Sequence, residues 1–255
     1  MNCLPGKFVW FEHVSPDVGK ASDFYGALFG WSIERMPMGD QTYSMIMNGG
    51  AGIGGLRQAD AGMRSHWASY VSVEDVDASF AKATAAGAEP VMPPTPFGSV
   101  GRGAALLDPT GAALCLWRDA QGDRPDAEKT AYGDWYWNEL WTRDAKTALA
   151  FYEKVFGYTH DTMSMADQGT YYILQSGGKA RAGVFQSDEP NTPPMWLPYV
   201  HVADCDASLA KAEALGAKVF MPATDVPEVG RFAAMTDPFG AAIAIIRGMP
   251  QASSP

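Results

Sequence analysis

The stretch Phe24-Tyr25-Gly26-Ala27-Leu28-Phe29-Gly30-Trp31 decides how this chain is read, because it returns 127 residues later as Phe151-Tyr152-Glu153-Lys154-Val155-Phe156-Gly157-Tyr158. In each copy large apolar side chains recur at helical spacing and the run stops at glycine, the pattern of an amphipathic helix with a left-handed cap. Working outward, Glu12 returns as Glu139 at the same offset. Trp67-Ala68-Ser69-Tyr70-Val71 returns as Trp196-Leu197-Pro198-Tyr199-Val200 at an offset of 129. Asp75, Asp77 and Ser79 match Asp204, Asp206 and Ser208, and Gly87-Ala88 matches Gly216-Ala217. Gly101-Arg102 matches Gly230-Arg231, and Asp108-Pro109-Thr110-Gly111 matches Asp237-Pro238-Phe239-Gly240. The order is never broken, which identifies a duplication. The halves are read as residues 7–118 and 133–247, with 119–132 a polar linker containing Gly122 and Pro125, and 248–255 a tail expected to fray.

Each half repeats one rhythm twice. An alternating strand, Phe8 to Val14, leads to Ser15-Pro16, expected to start a helix with Ser15 as cap; Thr142 is expected to cap the matching helix. Three short strands follow, near Trp31–Met36, Thr42–Met47 and Gly52–Arg57. The cycle restarts with a strand at Trp67–Val73, a helix at Val76–Ala86 and strands near Pro90, Ala104 and Leu114. Four strand–helix–three-strand units result, an α+β architecture.

Composition narrows the function classes. The chain has 255 residues, 47% hydrophobic, and a formal net charge of −10. Two domains of about 115 residues are large enough to bury their own cores. No basic cluster is present, so a nucleic-acid partner is not expected. Cys3, Cys115 and Cys205 are far apart and suggest neither a disulfide framework nor a zinc ribbon. The longest apolar run, Ala241 to Ile246, is too short to span a bilayer, and a soluble cytoplasmic protein is the expectation. Eight tryptophans and thirteen methionines suit a core, and equally the walls of a pocket for a flat organic ligand.

Four such units, the Phe-Tyr-x-x-x-Phe-Gly ending of the helix and the Asp-Pro-x-Gly turn before the last strand resemble the vicinal oxygen chelate superfamily, which contains glyoxalases, bleomycin-resistance proteins and dioxygenases. Gly-Arg-Gly-Ala at 101–104 and Gly-Arg-Phe-Ala at 230–233 are similar to its two-domain hydroxylase-like and antigen branch. The resemblance implies tandem domains, each of two βαβββ units, whose curved mixed sheets wrap a cup. It also implies a divalent metal held by His and Glu. Its first-strand ligand position maps to Trp10 and Trp137, and its last-strand position to Cys115 and Ala244. The position opening the second unit maps to Ala68 and Leu197; the fourth falls within 51–56 or 180–185, where Arg181 is the polar side chain. A two-residue slide keeps the strand face and brings up Glu12, Glu139, Tyr70, Tyr199, Trp117 and Ile246; His201 enters only at four. The family metal is therefore not expected, although a divalent ion at a rearranged site stays open.

Two readings of the face remain. In one, Trp10, Tyr70, Trp117, Trp137 and Tyr199 line cups for a small molecule, with Glu12, Glu139 and His201 as polar anchors. In the other, Glu12, Glu139 and His201 form the rearranged site of a glyoxalase-like lyase or isomerase. A non-catalytic interaction or antigen-like protein is a third possibility. The halves pair within a monomer or the chain forms a homodimer. Arg102 and Arg231 are expected to form internal ion pairs, and His13, His66 and His160 to be structural or solvated. The glycines at 49–55 read as a bulged hairpin rather than a phosphate loop, since no Lys or helix follows.

Overall fold

A computed structural model of the chain describes residues 2–38, 41–165, 169–189 and 192–249. Most of the expected tail lies outside the described residues. The first half contains β1 (Phe8–Ser15), α1 (Val18–Phe29), β2 (Ser32–Met38), β3 (Gln41–Asn48) and β4 (Ala51–Gln58), then β5 (His66–Ser72), α2 (Val76–Ala85), β6 (Glu89–Phe97), β7 (Gly101–Leu107) and β8 (Ala113–Asp119). The second half contains β9 (Trp135–Thr142), α3 (Ala145–Phe156), β10 (Thr159–Ser164), β11 (Thr170–Ser176), β12 (Lys179–Gln186), β13 (Met195–His201), α4 (Cys205–Ala214), β14 (Lys218–Val226), β15 (Gly230–Thr236) and β16 (Ala242–Gly248). Each half forms a mixed eight-stranded sheet, β2-β3-β4-β1-β5-β8-β7-β6 and β10-β11-β12-β9-β13-β16-β15-β14. The fold is thus α+β, with two tandem domains of the expected four units.

Local chemistry accounts for the helices. In α1, Ala21, Phe24, Tyr25 and Leu28 are buried at helical spacing, and Gly30 ends the helix with φ 77°. The N-caps differ from expectation. Ser15 and Thr142 are the last residues of their strands, paired with Gln58 and Gln186, so neither starts a helix. Asp17 and Asp144 cap instead, accepting from the backbone N–H of Lys20 and Thr147 at 3.0 and 2.9 Å. Between Gly49-Gly50 and the bulge at Ile46/Met47, the glycine-rich segment forms the expected irregular hairpin.

Two compact units emerge, and they do not follow the halves. Unit 1 comprises residues 1–11, 68–127 and 137–197; unit 2 comprises 12–67, 128–136 and 198–255. Each therefore draws on both copies of the repeat. In unit 1, α2 packs on α3. Its core runs from Val71, Leu106, Leu114 and Leu116 of the first half to Leu140, Leu149, Tyr152 and Leu174 of the second. Unit 2 gathers Trp31, Trp67 and Trp135, with ring centroids 5.0–6.2 Å apart.

The repeated Asp-Pro turns become buried polar centres. In unit 1, Asp108 Oδ1 accepts from the Thr110 and Ala112 amides and the Thr110 hydroxyl, and Oδ2 from Tyr152, which in turn accepts from the Trp196 indole. In unit 2, Asp237 is held likewise by Phe239, Ala241 and Tyr25, with Trp67 donating to Tyr25. Burial, then the neighbouring aspartate, pushes both tyrosine hydroxyls well above their usual range, so they remain donors. Unit 2 adds His13, fully buried, with Nε2 2.7 Å from Asp237 Oδ2. Among the described residues its Nδ1 has no partner, and Nε2 donates to the aspartate. Ser65 also approaches Nε2, at 3.3 Å, so serine and aspartate share one nitrogen and do not form a relay.

The linker is pinned at several points. In unit 1, Asp123 accepts from the Leu4 amide and Ser72 hydroxyl, and Asp126 meets Lys7, Lys179 and Arg181 at 2.7–3.3 Å. Burial opposes ionisation of Asp126, but the Arg181 and Lys179 hydrogen bonds and the charges of Arg181 and Lys7 outweigh it and hold the carboxyl well below the usual range. A depressed carboxyl stabilises the fold above the ordinary value of 3.8, and that contribution disappears as pH falls through the folded value. Asp126→Asn should lower the melting temperature by a few degrees at pH 7, with the two curves converging below about pH 4. A gap that stays constant with pH would refute the assignment.

Candidate functional site

Period two on β1 puts Trp10 and Glu12 on one face, and on β9 it does the same for Trp137, Glu139 and Trp141. The parallel ladders then set a glycine beside each glutamate, Gly55 by Glu12 and Gly183 by Glu139. Those glycines make room for a tyrosine from the next strand. A Cβ on Gly55 would run into the Tyr43 hydroxyl, and one on Gly183 into the Tyr171 hydroxyl. Both tyrosines donate to the glutamate, Tyr43 to Glu12 Oε1 at 3.1 Å and Tyr171 to Glu139 Oε2 at 2.6 Å. Each half thus contains the same Glu–Tyr–Gly constellation.

The surroundings have diverged. In unit 1, the Trp141 indole donates to Glu139 Oε1 at 2.5 Å, and Trp137 donates to the Tyr171 oxygen at 2.9 Å. Phe185 packs on Trp141, with ring centroids 5.3 Å apart. Glu139 is only 8% exposed and accepts at both oxygens. Burial first, then the Glu139 charge and hydrogen bond, pushes the Tyr171 hydroxyl well above its usual range, so it stays a donor. In unit 2, Glu12 meets Arg57, whose Nε donates to Oε2 at 3.1 Å.

The other expected residues fall into separate groups. In unit 1, Tyr70 and Trp117 meet edge to face at 6.1 Å, and Phe97 lies 5.6 Å from Trp117. Gly101 and Gly103 let the Trp117 ring lie against β7, since Cβ atoms there would approach it to 2.6 and 3.0 Å. In unit 2, Tyr199 is buried, its ring 5.9 Å from Phe232. His201 donates from Nδ1 to the Thr130 carbonyl at 2.9 Å, and its ring lies tilted against those of Tyr132 and Tyr136, with centroids 4.8 and 4.9 Å away. It also lines a shallow pocket of about 170 Å³ with Leu28, Phe29, Tyr132 and Val202. Thus Glu12 is grouped with Tyr43 and Arg57, and His201 with the linker. Arg102 pairs with Asp77, and Arg231 with Asp206 and Asp225.

Tyr43, Tyr171, Arg57, Gly183 and Phe185 are not among the residues that the sequence reading singles out. A signal exists for some of them: Tyr43 and Gly55 recur as Tyr171 and Gly183 at an offset of 128, between the two stronger offsets.

Tandem α+β domains of two strand–helix–three-strand units, with a tyrosine-held carboxylate in each half, define a duplicated glyoxalase-type protein. The chain belongs to the Glyoxalase/Bleomycin resistance protein/Dioxygenase superfamily, whose model matches residues 7–116 and 137–245. It is 36% identical over 248 residues to the Mycobacterium tuberculosis protein named "Putative glyoxylase CFP32", covering 95% of each chain. It is 31% identical over 278 residues to the anthracycline biosynthesis protein DnrV of Streptomyces peucetius, covering 98% of this chain and 97% of that one. In fold it is similar to the Mn(II)-bound glyoxalase of Novosphingobium aromaticivorans, with a TM-score of 0.62 and 16% identity over 97% of this chain and 84% of that one. No helix among the described residues is long and apolar enough to cross a membrane.

Members of the superfamily commonly hold a divalent metal. The described side chains around Glu139 do not fit one. The first-strand position carries Trp137, whose indole N–H is a donor with no lone pair for a cation. Both Glu139 oxygens accept hydrogen bonds, and among the described residues no three His, Cys, Asp or Glu side chains stand together as a ligand set.

Proposed function

We propose that this protein binds a small, flat organic molecule at the aromatic-walled carboxylate of Glu139 and its counterpart Glu12, without the superfamily's metal. The observation that carries this reading is the Trp137–Tyr171–Glu139–Trp141 chain of hydrogen bonds. It commits the carboxylate's oxygens to oriented neutral donors and sets two indoles beside it. Flat, polarisable walls with a few fixed polar groups are the usual lining of organic-ligand sites. The names of the Streptomyces and Mycobacterium relatives, one "Anthracycline biosynthesis protein DnrV" and the other "Putative glyoxylase CFP32", support a small carbonyl-bearing ligand. The net charge of −10 favours such a partner over a nucleic acid.

Quenching of tryptophan fluorescence by anthraquinone probes tests the reading. With a hydroxyanthraquinone, whose phenolic O–H can donate to a remaining lone pair of the carboxylate, saturable quenching is expected, weakened roughly tenfold or more in Glu139→Gln, since a charged hydrogen-bond acceptor contributes more than about 1.4 kcal/mol. Titration with Mn²⁺ and Zn²⁺ should show no stoichiometric uptake, and tight binding of one ion per half would defeat the metal-free part. A lyase or isomerase using Glu12 in one half and Glu139 in the other is the second reading, favoured by the repetition of the Glu–Tyr pair. Glutathione-dependent methylglyoxal turnover abolished by Glu12→Gln and Glu139→Gln would establish it instead.

A further inference from the structure

The Glu12 site carries a cation where its counterpart carries a ring. Arg57 lies two positions beyond Gly55 on β4 and therefore shares the face of Glu12. In the second half, the residue at the same place is Phe185, packed on Trp141. The Arg57 guanidinium is anchored at one nitrogen only. Its Nε donates to Glu12 Oε2, while Tyr43 holds the other Glu12 oxygen. Among the described residues neither terminal nitrogen has a protein partner, and the side chain is 44% exposed against 9% for Glu12. A buried carboxylate thus fixes the base of a half-exposed guanidinium whose terminal fork is open.

Two facts decide what such a fork takes. Its terminal N–H groups are parallel donors, matched in spacing to the two oxygens of a carboxylate. The Arg57–Glu12 pair is neutral overall, so discrimination comes from donor geometry rather than net charge. An amide in the same place offers one oxygen and turns an N–H toward an N–H.

We propose that Arg57 selects the ligand at the first site and takes a carboxylate-bearing aromatic molecule, whereas the Phe185 site takes an uncharged one. This rests on the small-molecule reading above, and deepens it by assigning different ligand chemistry to the two halves.

Anthraquinone-2-carboxylate and its carboxamide provide matched probes. Tryptophan quenching reports binding anywhere on the full chain, and the Arg57 Nε–H resonance, identified by its loss in Arg57→Lys, reports the first site alone. The acid should move that resonance saturably and the amide should not. Arg57→Gln should weaken acid binding roughly tenfold or more and leave amide binding unchanged. If both probes quench but the acid leaves the Arg57 resonance unmoved, or Arg57→Gln binds the acid as well as before, the inference is overturned and the binding reading survives. If neither probe quenches, the binding reading itself fails.

Discussion

Asp108→Ala is expected to destabilise the protein by about 3–5 kcal/mol, the range for removing one member of a buried charged network. Asp108 is 3% exposed and takes four hydrogen bonds, from the Thr110 and Ala112 amides and the Thr110 and Tyr152 hydroxyls. Alanine leaves all four donors facing a site that has lost its acceptor. Tyr152 suffers most, because it is fully buried in the core of unit 1 and also orients the Trp196 indole. Asp237→Ala should cost at least as much, since His13 loses its Nε2 partner as well. His13→Leu should cost only about 1 kcal/mol, because one hydrogen bond is lost while Asp237 keeps its others. Leu140 stands at the equivalent position of the second half and shows that leucine suits the location. Urea unfolding measures all three, and a loss below about 1 kcal/mol for Asp108→Ala would contradict the network's role.

Gly183→Ala is expected to have the largest effect on binding. The added methyl group would occupy the place of the Tyr171 hydroxyl, in a strand where the backbone itself tolerates alanine. Tyr171 must move, and its bonds to Glu139 and Trp137 go with it. Overpacking of this kind typically costs about 1–3 kcal/mol in stability. Anthraquinone affinity should fall more than tenfold, because the carboxylate and an indole wall shift together. A double-mutant cycle isolates the cause. Tyr171→Ala removes both the hydroxyl and the ring carbon that the methyl group would meet, so adding Gly183→Ala to that background should cost much less than adding it to the native chain. Equal costs in the two backgrounds would place the strain elsewhere.

Much of this architecture is legible in the amino-acid sequence. The repeated Phe-Tyr-x-x-x-Phe-Gly segment locates α1 and α3, because helical spacing and a glycine stop are local properties of consecutive residues. Glu12 and Glu139 stand out because duplication keeps them in step. The helix starts lie two residues beyond the expected caps, since Ser15-Pro16 fits a cap while sheet pairing through Ser15 continues the strand. Arg57 and Phe185 carry no such signal, because they are where the halves differ and recurrence cannot mark a point of divergence.

The sequence by itself determined the duplication, the four α+β units, the family and the face on which each glutamate lies. These follow from spacing, which the covalent chain carries locally. Only the tertiary structure decided that each compact unit joins pieces of both halves, with α2 on α3 in unit 1. It alone also decided that Glu12 meets Tyr43 and Arg57 while Glu139 meets Tyr171 and Trp141. The physical reason is that periodicity states which face of an element is apolar, but not which other element covers it. That choice is made by sheet pairing and packing among residues far apart in the chain, and here it gives two related carboxylates different surroundings.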